Sequence, residues 1–199
     1  MEWISILMNI YKPAEKFLLP DKTWLRNIFS NNDVSNEFVD KLSLSIGEIS
    51  PQTKSSIHIH PFVTQVTFVL EGEVVVLSKQ FNSLKKSMET LEKDECIITE
   101  PNTFYQVENK SQRLSKVLYV VTPSFLFIVN SDGTLKYNDA LVLSDDWQYI
   151  DNNKDAITKE LNEMLARRKH IKVMCQHFLG HTIKQLFELP RILQVINNH

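Results

Sequence analysis

The feature that most constrains this chain is a series of short apolar segments rich in Val, Ile, Thr and aromatic residues. They are separated by turn-forming sequences such as Ser-Pro, Glu-Gly, Glu-Pro-Asn and Ser-Asp-Gly. Many short strands joined by turns are typical of a β-sandwich or a β-barrel. We therefore predict an all-β domain. Its strands are predicted at 42–49, 55–60, 65–78, 95–99, 104–109, 114–121, 125–130 and 140–143.

The sequence pattern changes near residue 150. Beyond it, apolar residues recur at helical spacing, as Ile157, Leu161 and Leu165 do at intervals of four. We predict two helices here, because an apolar stripe at that spacing must be covered by packing. The chain is accordingly divided into an N-terminal arm (1–40), a β-barrel (41–150) and a C-terminal helical extension (151–199).

Composition excludes several classes of protein. The 199 residues are 43% hydrophobic, enough to bury a core, and carry a net charge of −2. This balance gives no electrostatic basis for binding nucleic acid. No apolar run reaches the ~18 residues of a membrane-spanning helix. Because Glu2 stands where a signal peptide carries Lys or Arg, we expect no targeting segment.

The two cysteines, Cys96 and Cys175, lie far apart in the sequence and form no paired motif. We expect free thiols and a cytoplasmic location. Cys96 falls in a predicted strand, where we expect a small buried side chain. His177 and His181 share one face of the predicted helical extension. Since no third ligand is evident near them, we expect surface or packing histidines.

Two histidines, His58 and His60, stand two residues apart in a predicted strand. Side chains at that spacing point to the same face of a strand. Two imidazoles on one face can converge on one metal ion. If the chain turns after His60, Gln65 on the following strand returns beside the pair. The spacing therefore predicts half of a metal site.

These residues resemble the first motif of the cupin superfamily, which reads His-x-His, three or four residues, Glu, six residues, Gly. Here His58-x-His60 is followed after four residues by Gln65 and after six more by Gly72. The second cupin motif has a proline turn, a histidine and, four residues later, an asparagine. The stretch EPNTFYQVEN (100–109) is similar, with a tyrosine in place of that histidine.

The resemblance implies a cupin-like double-stranded β-helix, or jelly-roll barrel, with a site inside its wider mouth. It also implies a divalent transition metal, namely Fe, Zn, Ni or Mn, held by His58, His60, Gln65 and Tyr105. Gln65 replaces the usual glutamate and Tyr105 the last histidine. An amide is a weaker ligand than a carboxylate, and a phenol must first lose a proton at a pKa of ~10.

Three functional hypotheses remain open on the sequence. The first is a metal-dependent enzyme of dioxygenase, isomerase or lyase type that acts on a small organic molecule, with Tyr105 as general acid or base. The second is a non-catalytic binding or sensing barrel with a decayed metal site. The third is a metal-free epimerase, which would need a carboxylate beside a histidine. The sequence reveals no such carboxylate.

The sequence also predicts the partners of this chain and the walls of its pocket. We expect a small-molecule substrate, no nucleic acid, no membrane and a homodimer formed through the barrel sheets or the helical extension. Apolar walls should exclude water from the site. The candidates for these walls are Phe68, Val75, Phe104 and Tyr119.

Overall fold

The computed structural model describes residues 12–29, 42–129 and 135–169. Helix α1 spans Trp147–Asn152, and residues 154–169 form a second helix, α2. The strands are β1 (Phe17–Leu18), β2 (Trp24–Phe29), β3 (Ser43–Ile49), β4 (Thr53–Lys54), β5 (Ile57–Ile59), β6 (Thr64–Glu71), β7 (Val74–Gln80), β8 (Ser87–Leu91), β9 (Cys96–Thr99), β10 (Thr103–Asn109), β11 (Ser115–Thr122), β12 (Phe127–Val129), β13 (Leu135–Asn138) and β14 (Leu141–Ser144).

The strands form two antiparallel sheets and one separate pair. The first sheet has the order β1-β2-β3-β11-β6-β9, and the second has the order β14-β5-β10-β7-β8, with β4 paired to β10. Strands β12 and β13 pair with each other. From β3 to β11 the chain winds between the sheets, with β3, β6, β9 and β11 in one and β5, β7, β8 and β10 in the other. Eight strands in this arrangement form a jelly roll, which confirms the predicted fold class.

Alternation along the strands decides what fills the barrel. In β6 and β11, every second side chain is buried and the ones between are partly exposed. Val69 on β6 pairs with Val117 on β11, whereas Gln65 pairs with Val121 further along. The interior is thus aliphatic at one end and polar at the other. The core consists of Ile49, Val63, Val69, Val74, Val76, Leu91, Tyr105, Val107, Val117, Tyr119 and Val121.

Several strands lie outside the segments predicted from the sequence, namely β1, β2, β4, β8 and β13. The segment 65–78 is a hairpin of β6 and β7 with Gly72 between them at a φ of +80°, which agrees with the turn expected at the Glu-Gly pair. A side chain there would be strained, and its Cβ would lie 2.7 Å from the Ser115 hydroxyl. Strand β8 was not predicted, because all of its side chains except Leu91 are exposed and it carries no apolar alternation.

The prediction of a buried Cys96 is wrong, because this residue is exposed. Cys96 pairs with Phe68 on β6 and begins β9, which is the outer strand of its sheet. Its side chain therefore lacks the neighbour that a central strand would supply.

Among the described residues, no helix is long and apolar enough to cross a membrane.

The chain divides into two compact units, residues 1–154 and 155–199. Within the predicted N-terminal arm, the described residues 12–29 contribute β1 and β2 to the first sheet. Of the predicted helical extension, the structure describes residues 151–169, which contain the end of α1 and helix α2. Cys175, His177 and His181 lie outside the described residues. The predicted division into arm, barrel and extension stays a prediction.

Candidate functional site

The polar end of the barrel contains a cavity of about 350 Å³. The four residues predicted as the site, His58, His60, Gln65 and Tyr105, all line this cavity. The remaining lining residues are Ala14, Phe17, Leu19, Pro20, Asp21, Thr23, Leu25, Asn27, Ser43, Ser45, Tyr119, Val121, Phe125, Asn138, Ala140 and Val142.

The two histidines come from β5 and from the residue that follows it. His58 lies opposite Tyr105 on β10, and their ring centroids are 4.2 Å apart. The centroids of the His58 and His60 rings are 5.1 Å apart. Both side chains are buried, with exposed fractions of 3% and 9%. The predicted pairing of two imidazoles at one cavity is therefore present in the structure.

The hydrogen bonding of the two histidines differs. The Nδ1 atom of His58 lies 2.9 Å from the carbonyl oxygen of Ser56. Neither ring nitrogen of His60 has a hydrogen-bond partner among the described residues. Burial, and then the proximity of His58, lower the pKa of His60 well below its usual value. His60 is therefore a neutral imidazole, and both of its nitrogens lack a partner in the part of the chain that the structure describes.

Gln65 reaches the site from the opposite sheet. It was expected to return beside the histidines, but β6 and β5 belong to different sheets, so Gln65 faces the pair across the barrel interior. Its Nε2 atom donates to the Tyr105 hydroxyl at 2.8 Å and to the Thr67 hydroxyl at 3.2 Å. The amide thus connects the two sheets through Tyr105.

Tyr105 and Tyr119 form a buried pair of phenols. Burial, followed by the negative charge of Asp21, raises the pKa of Tyr105 above its usual value, so the hydroxyl stays protonated. A hydrogen bond between the two hydroxyls lowers the pKa of Tyr105 and raises that of Tyr119, as expected when Tyr119 donates. The Tyr119 ring packs over Gly47, where a Cβ would lie 2.4 Å from its Cε2 atom.

Asp21 is a site residue that the sequence analysis missed. It is buried, it lines the cavity, and its Oδ2 atom lies 3.7 Å from Nδ1 of His58. Its only sequence signal is a turn-forming Pro-Asp pair in LLPDKTW, which says nothing of its distant neighbours. The epimerase hypothesis needs a carboxylate beside a histidine, and the sequence offered no candidate for it. Asp21 is such a carboxylate.

The predicted walls are only partly right. Tyr119 lines the cavity, but Phe68, Val75 and Phe104 do not. Phe104 instead stacks on Phe81, with their ring centroids 5.5 Å apart. Within the described ranges, no group of three or more His, Cys, Asp or Glu side chains is placed to hold a metal. A metal here would depend on two imidazoles supplemented by neutral oxygen ligands, substrate or water.

Neither a protein-family model nor a curated protein significantly matches this sequence. Solved structures do resemble it. The cupin domain of Drosophila melanogaster CENP-C is 18% identical, with a TM-score of 0.43, over 54% of this chain and 70% of that one. Oxalate decarboxylase from Lactobacillus farciminis, in a formate complex, is 14% identical, with a TM-score of 0.49, over 67% of this chain and 33% of that one.

A third similar structure is the Cnp3 cupin domain of Schizosaccharomyces pombe. It is 11% identical, with a TM-score of 0.44, and the match spans 55% of this chain and 68% of that one. The strand order described above provides the firmer basis for the fold, because it follows directly from the strand pairings. Eight strands wound between two antiparallel sheets around a polar-ended cavity give this chain a jelly-roll fold, the fold class that includes cupin domains.

Proposed function

We propose that this chain is an enzyme that acts on a small organic molecule and uses a divalent transition metal held by His58 and His60. The observation that carries the proposal is the burial of His60 with neither ring nitrogen bonded to a described residue. A buried polar group without a partner costs about 1–3 kcal/mol. Contact with a metal or a ligand in the cavity would remove that cost.

The two imidazoles fit the role of metal ligands. The Ser56 carbonyl can only accept a hydrogen bond, so Nδ1 of His58 carries the proton and Nε2 keeps its lone pair. The lowered pKa of His60 keeps it in the neutral form that metals bind. Two imidazoles on one tetrahedral ion, each bonded at about 2.1 Å, have ring centroids about 5 Å apart. The observed separation is 5.1 Å.

The other two predicted ligands, Gln65 and Tyr105, are not equally suited to binding a metal. Both hydrogen bonds of Gln65 use Nε2, so Oε1 is the atom that it would offer a metal. Tyr105 keeps its proton because burial and Asp21 raise its pKa. We therefore assign Gln65 to the ligand set with the histidines, and Tyr105 primarily to proton transfer.

The residues around the cavity suit acid–base chemistry on a polarised substrate. When bound, a zinc or nickel ion supplies Lewis-acid polarisation, whereas an iron or manganese ion also supplies redox chemistry. The Tyr105 oxygen accepts from Gln65 and Tyr119, which leaves its own proton free to pass to a substrate oxygen. Apolar side chains such as Phe17, Leu25 and Phe125 would exclude water. Dioxygenase, isomerase and lyase chemistry all remain compatible with this set.

Metal analysis of protein purified without a chelator tests the proposal. We expect about one ion per wild-type chain and less than about a tenth of that in the double variant His58→Ala/His60→Ala. The matched control is His181→Ala, which removes a histidine that the cupin-like motif does not contain. Its metal content should equal that of the wild type. Equal metal in the wild type and the double variant would reject the site.

A second candidate function is metal-free proton transfer of the epimerase type. The observation that favours it is the proximity of the Asp21 carboxylate to His58, because a carboxylate beside an imidazole holds it in the tautomer whose other nitrogen can accept a proton. Tyr105 would then be the acid on the other side of the substrate. Protein that stays metal-free in excess zinc, manganese, nickel and iron(II) would favour this candidate, and stoichiometric binding would oppose it.

A further inference from the structure

The N-terminal segment contributes a large part of the cavity wall. Eight of the twenty lining residues lie between Ala14 and Asn27. Among these twenty, Asp21 is the only one with an aspartate, glutamate, lysine or arginine side chain. The Asp21 carboxylate is therefore the main charge that this segment brings to the site.

A tight turn holds Asp21 in place. The Lys22 amide donates to the Leu19 carbonyl at 3.0 Å, and the Leu19 amide donates to the Thr23 carbonyl at 2.9 Å. The Asp21 carboxylate accepts from the Thr23 amide at 3.2 Å and from the Thr23 hydroxyl at 3.0 Å. The Ser56 amide donates to the Asp21 carbonyl at 2.9 Å, which fixes the turn against the start of β5.

A second set of bonds secures the turn from outside the cavity. Lys22 forms an ion pair with Asp145 at 2.5 Å, and the Ser56 hydroxyl donates to the same carboxylate at 2.7 Å. The Lys22 and Asp145 side chains are about half exposed, so this contact can be altered without opening the core. The turn is thus bound both to β5 and to the residue that follows β14.

The turn places a second acceptor beside His58. Its Nδ1 atom faces the Ser56 carbonyl at 2.9 Å and the Asp21 carboxylate at 3.7 Å. Neither group can donate, so both favour the tautomer with the proton on Nδ1 and the lone pair on Nε2. A carboxylate near the protonated nitrogen of an imidazole also increases the electron density that the other nitrogen can offer a metal.

We propose that Asp21 is a positioning residue for His58, which holds the imidazole in its metal-binding tautomer and strengthens Nε2 as a ligand. This role rests on the proposed function. It makes the metal site depend on a turn more than thirty residues before the His-x-His pair. Asp21 itself would not touch the metal.

The variant Asp21→Asn separates this role from the structural one. Asparagine keeps an oxygen that can accept from the Thr23 amide and suits the same kind of turn, but it lacks the charge. We expect zinc affinity, measured by competition with a chromophoric chelator, to fall about 10–100-fold. The midpoint of thermal unfolding of the metal-free variant should stay close to that of the metal-free wild type.

The matched control is Lys22→Ala, which breaks the outer ion pair and leaves the Asp21 carboxylate intact. Its zinc affinity should stay within about threefold of the wild type, because exposed ion pairs contribute little. Equal losses in both variants would overturn the proposal, since the geometry of the turn would then be responsible. Wild-type affinity in Asp21→Asn would overturn it too, while the proposed function would stand.

A wild-type protein that binds no zinc, manganese, nickel or iron(II) would overturn both the proposed function and the role of Asp21. If Asp21→Asn does not fold, nitrogen NMR of His58 in the metal-free wild type still tests the tautomer on which the role of Asp21 depends. We expect the proton on Nδ1. A proton on Nε2 would overturn the proposed role of Asp21.

Discussion

Tyr105 illustrates how the surroundings of one residue change its chemistry. The cupin-like motif places it where a metal-binding histidine is usual, yet burial and the charge of Asp21 raise its pKa and keep the phenol protonated. Its oxygen accepts from Gln65, and its ring lies against His58. These contacts favour Tyr105 as a proton donor next to the proposed metal ligands over Tyr105 as a ligand itself.

The variant Tyr105→Phe tests this assignment. It removes the hydroxyl and retains the ring that packs against His58. We expect the metal content of the purified variant to match that of the wild type, because the imidazoles are unchanged. Once a substrate is known, turnover should fall about 100-fold or more, as for the loss of a general acid. Loss of the metal in this variant would instead assign Tyr105 to the ligand set.

At the scale of elements, the connection between β10 and β11 depends on Asn109, the asparagine of the second motif. This side chain is fully buried. Its Nδ2 atom donates to the Ile49 carbonyl at 3.0 Å and to the Arg113 carbonyl at 2.7 Å. Its Oδ1 atom accepts from the amide and the hydroxyl of Ser111 at 2.9 and 2.8 Å. Asn109 thus joins the β10–β11 turn to the end of β3.

We expect Asn109→Ala to lower the free energy of unfolding by about 2–4 kcal/mol, because it leaves several buried polar groups without partners. Urea unfolding of the metal-free protein measures this loss. The control Ser111→Ala removes a partner nearer the surface and should cost about 1 kcal/mol or less. A loss below about 0.5 kcal/mol in Asn109→Ala would show that the turn does not depend on this side chain.

At the scale of the whole molecule, ion pairs connect the N-terminal segment to the barrel. Glu48 on β3 pairs with Lys16 at 2.6 Å and with Arg26 on β2 at 3.5 Å. The hydrogen bond from Lys16, opposed in part by desolvation, lowers the pKa of Glu48 below its usual value of 4.5. The unfolded chain therefore takes up this proton at a higher pH than the folded chain does.

This difference predicts an acid-sensitive contribution to stability. The contribution of Glu48 is complete above its unfolded pKa of 4.5 and is lost as the pH falls through the lower folded value. We expect the urea midpoint of the wild type to fall more between about pH 7 and about pH 3 than that of Glu48→Gln. Parallel pH profiles for the two proteins would contradict this expectation.

Association is also a property of the whole molecule. The homodimer expected from the sequence stays a prediction, which light scattering over a range of concentrations can test. A mass close to twice the chain mass of 23.2 kDa would support it. A monomer at every concentration would contradict it.

Local sequence determined most strands of the barrel and the histidine pair of the site. The sequence alone predicts that Gln65, Thr67 and Val69 share one face of β6, because strand periodicity depends on adjacent residues, and the structure shows that this face is the buried one. The same two-residue period placed His58 and His60 at one cavity. The resemblance to the cupin motifs added Gln65 and Tyr105, which the structure also brings to that cavity.

Only the tertiary structure decided the rest of the site. Asp21 and Tyr119 are distant from the His-x-His pair in the sequence, and no local pattern marks either of them. Asp21 reaches His58 because the Ser56 amide binds its turn, and Gln65 faces the histidines because the chain changes sheets after β5. Local periodicity encodes the face on which a side chain lies. Which residue that side chain meets across the barrel depends on how distant strands pair, and no short stretch of sequence contains this information.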